Sequence, residues 1–232
     1  MNSTLAETIK KADELYALRS RAENVRASVA LLRAASAPLD YEICWRLGRA
    51  LFFLGQEARA RTEARAFHKE AAGICKRAAE LEPSRVEGHF WLGVNLALLA
   101  QHENPFKALL RAFSARRTLR RAVELDPAYH AAGPLRVLAR LEHRLPTFLG
   151  GSRKRACALF QRAISLDQRN TVTRLYFAEL LLETGDTAGA RRELEALLRT
   201  PPDPAWAFED ARDRQLAEKM LRRIRDGQDR SK

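Results

Sequence analysis

Residues 171–204, TVTRLYFAELLLETGDTAGARRELEALLRTPPDP, decide the fold. The stretch reads as a helix, a turn, a second helix and a proline stop. Phe177, Ala178 and Leu181 recur at helical spacing in the first half, and Gly185-Asp186 makes the turn. Ala190, Leu194 and Leu197 face back from the second half, and Pro202 ends it. Small residues at the eighth and twentieth positions let two antiparallel helices approach closely, while larger apolar side chains fill the space around them. The residue before a proline is biased out of the helical region, so the proline closes the pair.

A helix pair of this length, with this placement of small and large apolar residues, resembles the tetratricopeptide repeat (TPR). Three earlier units follow once insertions are allowed. CWRLGRALFFLG (44–55) closes with RAAELEP (77–83), and HFWLGVNLALLA (89–100) closes with RAVELDP (121–127). PLRVLARLEHRLP (134–146) pairs with RACALFQRAISLD (155–167). Between the fourth and twenty-seventh marks these units span 34, 33 and 28 residues, against 23 in the ungapped unit, which implies insertions of 11, 10 and 5. The expected organisation is a degenerate helix pair over 1–40, four repeats (41–84, 85–128, 129–168, 171–204), and a capping helix with a tail over 205–232. In the cap, Leu216, Ala217, Met220, Leu221 and Ile224 share one face. No stretch reads as a strand. The fold class is therefore all-α, a TPR-like α-solenoid of antiparallel helix pairs with insertions.

Repeat register also places individual residues. Gly93 falls where two helices touch. Cys44 and Cys75 face each other across a hairpin and should be buried, whereas Cys157 should be more reactive. The three cysteines form no CxxC and no even framework, as expected of a reducing compartment. The first residues, MNSTLAETIKKADELYALR, carry no apolar signal stretch and no lipid-attachment cysteine, which predicts a cytoplasmic protein. A true start upstream of Met1 would instead allow export to the periplasm. The longest uncharged apolar run, FWLGVNLALLA at 90–100, has eleven residues. A membrane span needs about 18–20.

The middle of the chain has a narrower likeness. FWLGVNLALLAQHENPFKAL (90–109) and RAVELDPAYHAAGPLRVLARLEHRLPTFLGGSRKRA (121–156) resemble the TPR subunit associated with TRAP-type solute transporters, the T-component. DYEICWRLGRALFFLG (40–55) and PPDPAWAFEDARDRQLAEKMLRRI (201–224) fit as well, so the resemblance spans roughly residues 38–225. Its most specific block contains Gly133, Pro134, Arg136, Leu138, Leu145, Pro146, Gly150 and Gly151. The resemblance implies a solenoid with a groove, a protein partner such as a periplasmic substrate-binding protein, and apolar ligands. A weaker likeness to eukaryotic regulators of microtubule dynamics implies only that such a scaffold serves several partners.

Groove-facing positions of the first helices select Trp45, Arg49, Phe52 and Phe53, then Phe90, Val94, Ala97 and Leu98. They continue with Arg136, Arg140, His143 and Arg144, and with Leu175, Glu179, Leu182 and Glu183. One half is apolar and aromatic and the other cationic, which suits an acidic partner or a ligand with an apolar body and an anionic head. Glu142 and Glu179 are the internal carboxylates expected to meet the cations. Asn95, inside an apolar helix, needs a buried partner. Gly150-Gly151 reads as a tight turn before a helix starting near Ser152, which loop geometry alone explains; the alternative is an anion site formed by exposed amides with Arg153, Lys154 and Arg155.

The remaining classes are excluded or disfavoured. There is no Walker A pattern, no HExxH, no Cys/His ligand spacing, no GxSxG and no paired-carboxylate signature. The expectation is a non-enzymatic binding protein without cofactor or metal. Net charge is +12, and of 41 basic residues 33 are arginine. The segment RAFSARRTLRR (111–121) is the densest; Leu110, Phe113, Leu119 and Ala122 are spaced so that one face is buried and the arginines solvate the other. Nucleic-acid binding would need such segments gathered on one surface. The sequence leaves the oligomeric state open, a homo-oligomer included.

Overall fold

The sequence ends the degenerate pair at Pro38; the computed structural model describes residues 3–35 and 40–229, so that stop lies outside the described residues. Among them are eleven α-helices and no strand. They are α1 (Ser3–Ala17), α2 (Ala22–Ala34), α3 (Tyr41–Glu57), α4 (Arg61–Leu81), α5 (Val86–Ala100) and α6 (Pro105–Leu125). There follow α7 (Tyr129–Arg144), α8 (Arg153–Leu166), α9 (Thr171–Glu183), α10 (Thr187–Arg199) and α11 (Ala207–Asp229). Two compact units divide between Asp126 and Pro127, with α1–α6 in the first and α7–α11 in the second.

Helix starts are written into the sequence as side-chain acceptors. Asp40 accepts from the amide of Glu42 at 2.7 Å, and Asn104 caps α6 with Pro105 at the first helical position. Ser152, Asn170 and Asp186 cap α8, α9 and α10. Each satisfies an amide that the helix itself leaves unpaired. Gly185, at φ 86°, takes the left-handed turn that ends α9.

The repeat marks land in the core. At the eighth position Gly48, Gly93, Ala139 and Ala178 are buried. Ala71, Ala115, Ala156 and Ala190, at the twentieth, are wholly excluded from solvent. Cys75, Leu119, Phe160 and Leu194 fill the twenty-fourth. A Cβ on Gly93 would lie 2.6 Å from Leu119 Cγ, and one on Gly48 would lie 2.0 Å from Cys75 Sγ, so glycine is what allows each hairpin to close.

The insertions are helix, not loop. α4 and α6 have 21 residues each, where α10 has 13, and α3 has 17 where α9 has 13. Only the hairpin of α7 and α8 gains loop, over residues 145–152.

All three cysteines are free; Cys44 and Cys75 are buried and Cys157 is half-buried. Burial pushes the Cys75 thiol far above its ordinary range, and the nearby Cys44 adds to the rise. Alkylation of the folded protein should therefore modify Cys157 first, with Cys44 and Cys75 at least about tenfold slower because they wait for local opening. Mass spectrometry of a time course checks this; equal rates at all three would contradict the packing.

The start of α7 departs from any repeat pattern. His130, Ala131 and Ala132 all occupy the left-handed region, at φ 52°, 56° and 56°. Such residues cost about 1–3 kcal/mol each and persist only when their surroundings hold them. Here Ala132 N–H donates to Ala128 O, Arg136 donates to Ala131 O at 2.8 Å, and the His130 ring meets Trp206 edge-on at 4.7 Å.

Candidate functional site

In the first unit, most of the expected groove positions are occupied by the protein itself. Trp45, Phe53, Phe90 and Val94 are buried. Trp45 Nε1–H donates to Glu42 at 2.9 Å. Arg49 binds Asp13 of α1 and lies over the Tyr16 ring at 4.0 Å, and Tyr16 meets Phe53 edge-on. Phe52 packs on Trp91 with ring centroids 5.3 Å apart. Helix α1 thus covers the face of α3 that would open onto a groove, while Ala97 and Leu98 are half-buried.

Below Phe52 lies a buried polar cluster. Asn95 donates to Trp91 O at 2.8 Å and lies 3.4 Å from Gly48 O, so its Oδ1 is left to accept from His68 Nδ1 at 3.0 Å. This is the satisfied amide that the sequence demanded. That bond leaves His68 Nε2 as the unprotonated nitrogen, buried without a hydrogen-bond partner among the described residues. The His102 ring stacks on it at 6.0 Å. Burial, offset in part by the bond to Asn95, lowers the His68 pKa.

In the second unit the expected cationic cluster forms and is internally paired. Arg140 meets Glu179 at 2.6 Å and lies over the Tyr176 ring. Arg144 reaches both Glu179 and Glu183, at 3.2 and 3.3 Å. His143 Nε2 lies 2.8 Å from Glu183. Burial, together with Arg140 and Arg144, outweighs the carboxylate and lowers the His143 pKa, so at neutral pH the neutral ring donates its Nε2 proton to Glu183. Glu142, expected beside these cations, instead binds Arg155 at 2.8 Å, because it points to the opposite side of α7. Arg136 is buried and takes no part in an open surface, and Leu175 belongs to the core beneath.

The glycine-rich block is structural. Gly133 and Pro134 are buried at the start of regular α7. Gly150 takes φ 83°, and a Cβ on Gly151 would lie 1.9 Å from Leu145 O. The amides of the turn itself are paired: Gly150 N–H donates to Thr147 O, Gly151 N–H to Pro146 O and Ser152 N–H to Glu142 O. Arg155, one of the cations beside the turn, is held by Glu142.

One concavity does bring expected residues together. A recess of about 790 Å³ is lined by Arg144, Glu179, Leu182 and Glu183, with Thr187 of α10 beside them. Its far wall is α11, contributing Leu216, Lys219, Met220, Arg223 and Ile224. Ala217 and Ile224 are buried and Met220 and Leu221 partly so against α10 and α9, whereas Leu216 is 42% exposed. The capping face is therefore buried on one side and forms the recess wall on the other. Lys219 and Arg223, one helical turn apart, stand at its edge with no ion pair among the described residues. The α11 residues were legible only as a cap; the signal for a site was the pair Lys219 and Arg223 beside Leu216 and Met220.

Helix hairpins closed by small residues, with a recess of apolar floor and charged rim, define a TPR-type binding protein. The family model for the TRAP transporter T-component matches residues 46–226, and the chain belongs to that family. No curated protein matched the sequence. Among solved structures, the thermophilic TPR protein TTC0263 of Thermus thermophilus is 22% identical, with a TM-score of 0.65 over 90% of this chain and 97% of that one. The MamA fragment of Desulfovibrio magneticus RS-1 is 16% identical, with a TM-score of 0.53 over 82% and 94%. These likenesses concern the fold, an all-α TPR-like solenoid. No helix of the described residues is long and apolar enough to cross a membrane.

Proposed function

We propose that this protein is a non-enzymatic binding component whose second unit takes an amphiphilic ligand, an apolar chain with an anionic head, in the recess between α9 and α11. The observation that carries the reading is the pair of unmatched cations, Lys219 and Arg223, above a floor of Leu182, Leu216, Met220 and Ile224. The recess volume of about 790 Å³ falls among small-molecule sites, which span about 300–1,000 Å³. An apolar chain gains by leaving water for that floor, and its head gains a charge-assisted contact at the rim. Glu179 and Glu183 do not repel the head, because Arg140, Arg144 and His143 already hold them. The four-repeat organisation, with boundaries at 41–84, 85–128, 129–168 and 171–204, belongs to the same proposal.

Dodecanoate, titrated by calorimetry below its micelle concentration, should bind wild type. The double variant Lys219→Glu, Arg223→Glu should bind at least about tenfold more weakly, a loss of about 1.4 kcal/mol or more. Uncharged dodecyl maltoside should bind both alike. Equal dodecanoate affinity in the two proteins would remove the recess from consideration.

A further inference from the structure

Helix α6 does not bury the face that its sequence suggests. Leu119 and Ala122 are buried with Ala112 and Ala115, but Leu110 is 52% exposed and Phe113 41%. With Phe106, 73% exposed, they form one line at i, i+4 and i+7, which Arg117 continues at i+11. The line is about 16 Å long at 1.5 Å per residue. Lys107 and Arg111 run beside it, each one residue after an exposed apolar side chain. Three large apolar groups in water on one helix are unfavourable unless something covers them.

The charge around the line says what kind of surface would cover it. α6 carries Lys107, Arg111, Arg116, Arg117, Arg120 and Arg121 against a single carboxylate, Glu124, which Arg121 holds at 3.2 Å. Arg116 and Arg120 are engaged in other contacts. Lys107, Arg111 and Arg117 have no ion pair among the described residues; the first two flank the apolar line and the third ends it. A second copy of the same face would set like charges against each other, which disfavours a symmetric dimer here.

We propose that the Phe106–Leu110–Phe113 line of α6 docks an amphipathic helix of a partner protein whose apolar ridge is bordered by Asp or Glu. A helix supplies apolar side chains at the same i, i+4 and i+7 spacing, and its carboxylates meet Lys107 and Arg111 along one edge and Arg117 at the end of the line. The two phenylalanines are the anchors, and the cations set orientation and choice of partner. This surface lies in the first unit and is separate from the ligand recess of α9 and α11.

The test uses the full chain and two designed 18-residue helical peptides with identical Leu/Phe ridges, one bordered by Glu and the other by Lys. Fluorescence anisotropy should show the Glu peptide binding wild type, more weakly as salt rises, and the Lys peptide at least about tenfold more weakly. Phe106→Ser with Leu110→Ser should abolish binding of the Glu peptide while the circular dichroism spectrum stays that of wild type. Lys107→Glu with Arg111→Glu should reverse the preference in favour of the Lys peptide. Equal binding of both peptides, or an unaltered preference in the charge-reversed variant, would overturn the proposal. So would tighter, Phe106- and Leu110-dependent binding to phosphatidylglycerol vesicles or to a 20-nucleotide single-stranded RNA.

Discussion

Gly88→Ala should lower the stability of the protein by about 1–3 kcal/mol, although alanine is the better helix former by up to about 1 kcal/mol. Gly88 lies in the first turn of α5, where that helix crosses the end of α4. A Cβ there would stand 2.7 Å from the backbone nitrogen of Ala79 and 3.0 Å from the carbonyl carbon of Ala78. No side-chain rotation relieves a clash with backbone, so the two helices must part. The same substitution at Gly73 supplies the contrast. Gly73 lies inside α4, exposed, with nothing within 4 Å of an added Cβ. Gly73→Ala should therefore raise stability by about 0.5–1 kcal/mol. Urea denaturation of both variants reads the two signs. Stabilisation by Gly88→Ala would show that α4 and α5 do not pack as described.

Acid should weaken the first unit through His68. Its folded pKa is depressed, so the unfolded chain takes up the proton first as pH falls below about 6.5. Stability is then fully present above that value and is lost as pH falls towards the folded pKa, with a limiting slope of about 1.4 kcal/mol per pH unit for one proton. The groups around the ring do not rescue the charged form. His102 stacks on it, Arg65 is held by Glu103, Arg61 donates to Gln101 O, and Phe52 and Gly55 are apolar. His68→Gln keeps a donor for Asn95 and removes the titration. Between pH 7 and 5 its denaturation midpoint should fall less steeply than that of wild type, and parallel slopes would contradict this account.

Much of the fold was legible because repeat packing constrains residue size at fixed positions. A glycine or alanine at the eighth mark and an alanine at the twentieth are conditions for helix approach, and Gly48, Gly93, Ala139 and Ala178 all meet it in the core. A residue count between marks gave the size of each insertion but carried nothing about its form; the extra turns simply lengthen α3 to α6. The left-handed run at His130–Ala132 was invisible, since none of those residues is the glycine or asparagine that usually announces φ above zero. One support, Arg136, lies farther along the same helix, and the other, Trp206, comes from elsewhere in the chain.

The site was half legible for a related reason. Helical periodicity placed Arg140, His143, Arg144 and Glu179 on facing surfaces, and the ion pairs among them followed. It could not choose between Glu142 and Glu179 as their partner, which depends on how α7 is rotated against α9. Nor could it distinguish a capping face that is wholly buried from one that also lines a recess, as α11 does.

The chain contains two methionines, and Met220 is the one in the recess wall. Selective 13C labelling of methionine methyl groups therefore places a reporter inside the proposed site. Titration with dodecanoate should shift the Met220 methyl signal saturably and lose that response in the Lys219→Glu, Arg223→Glu variant. A Met220 signal that stays fixed while calorimetry reports dodecanoate binding would put the ligand somewhere else and contradict the account.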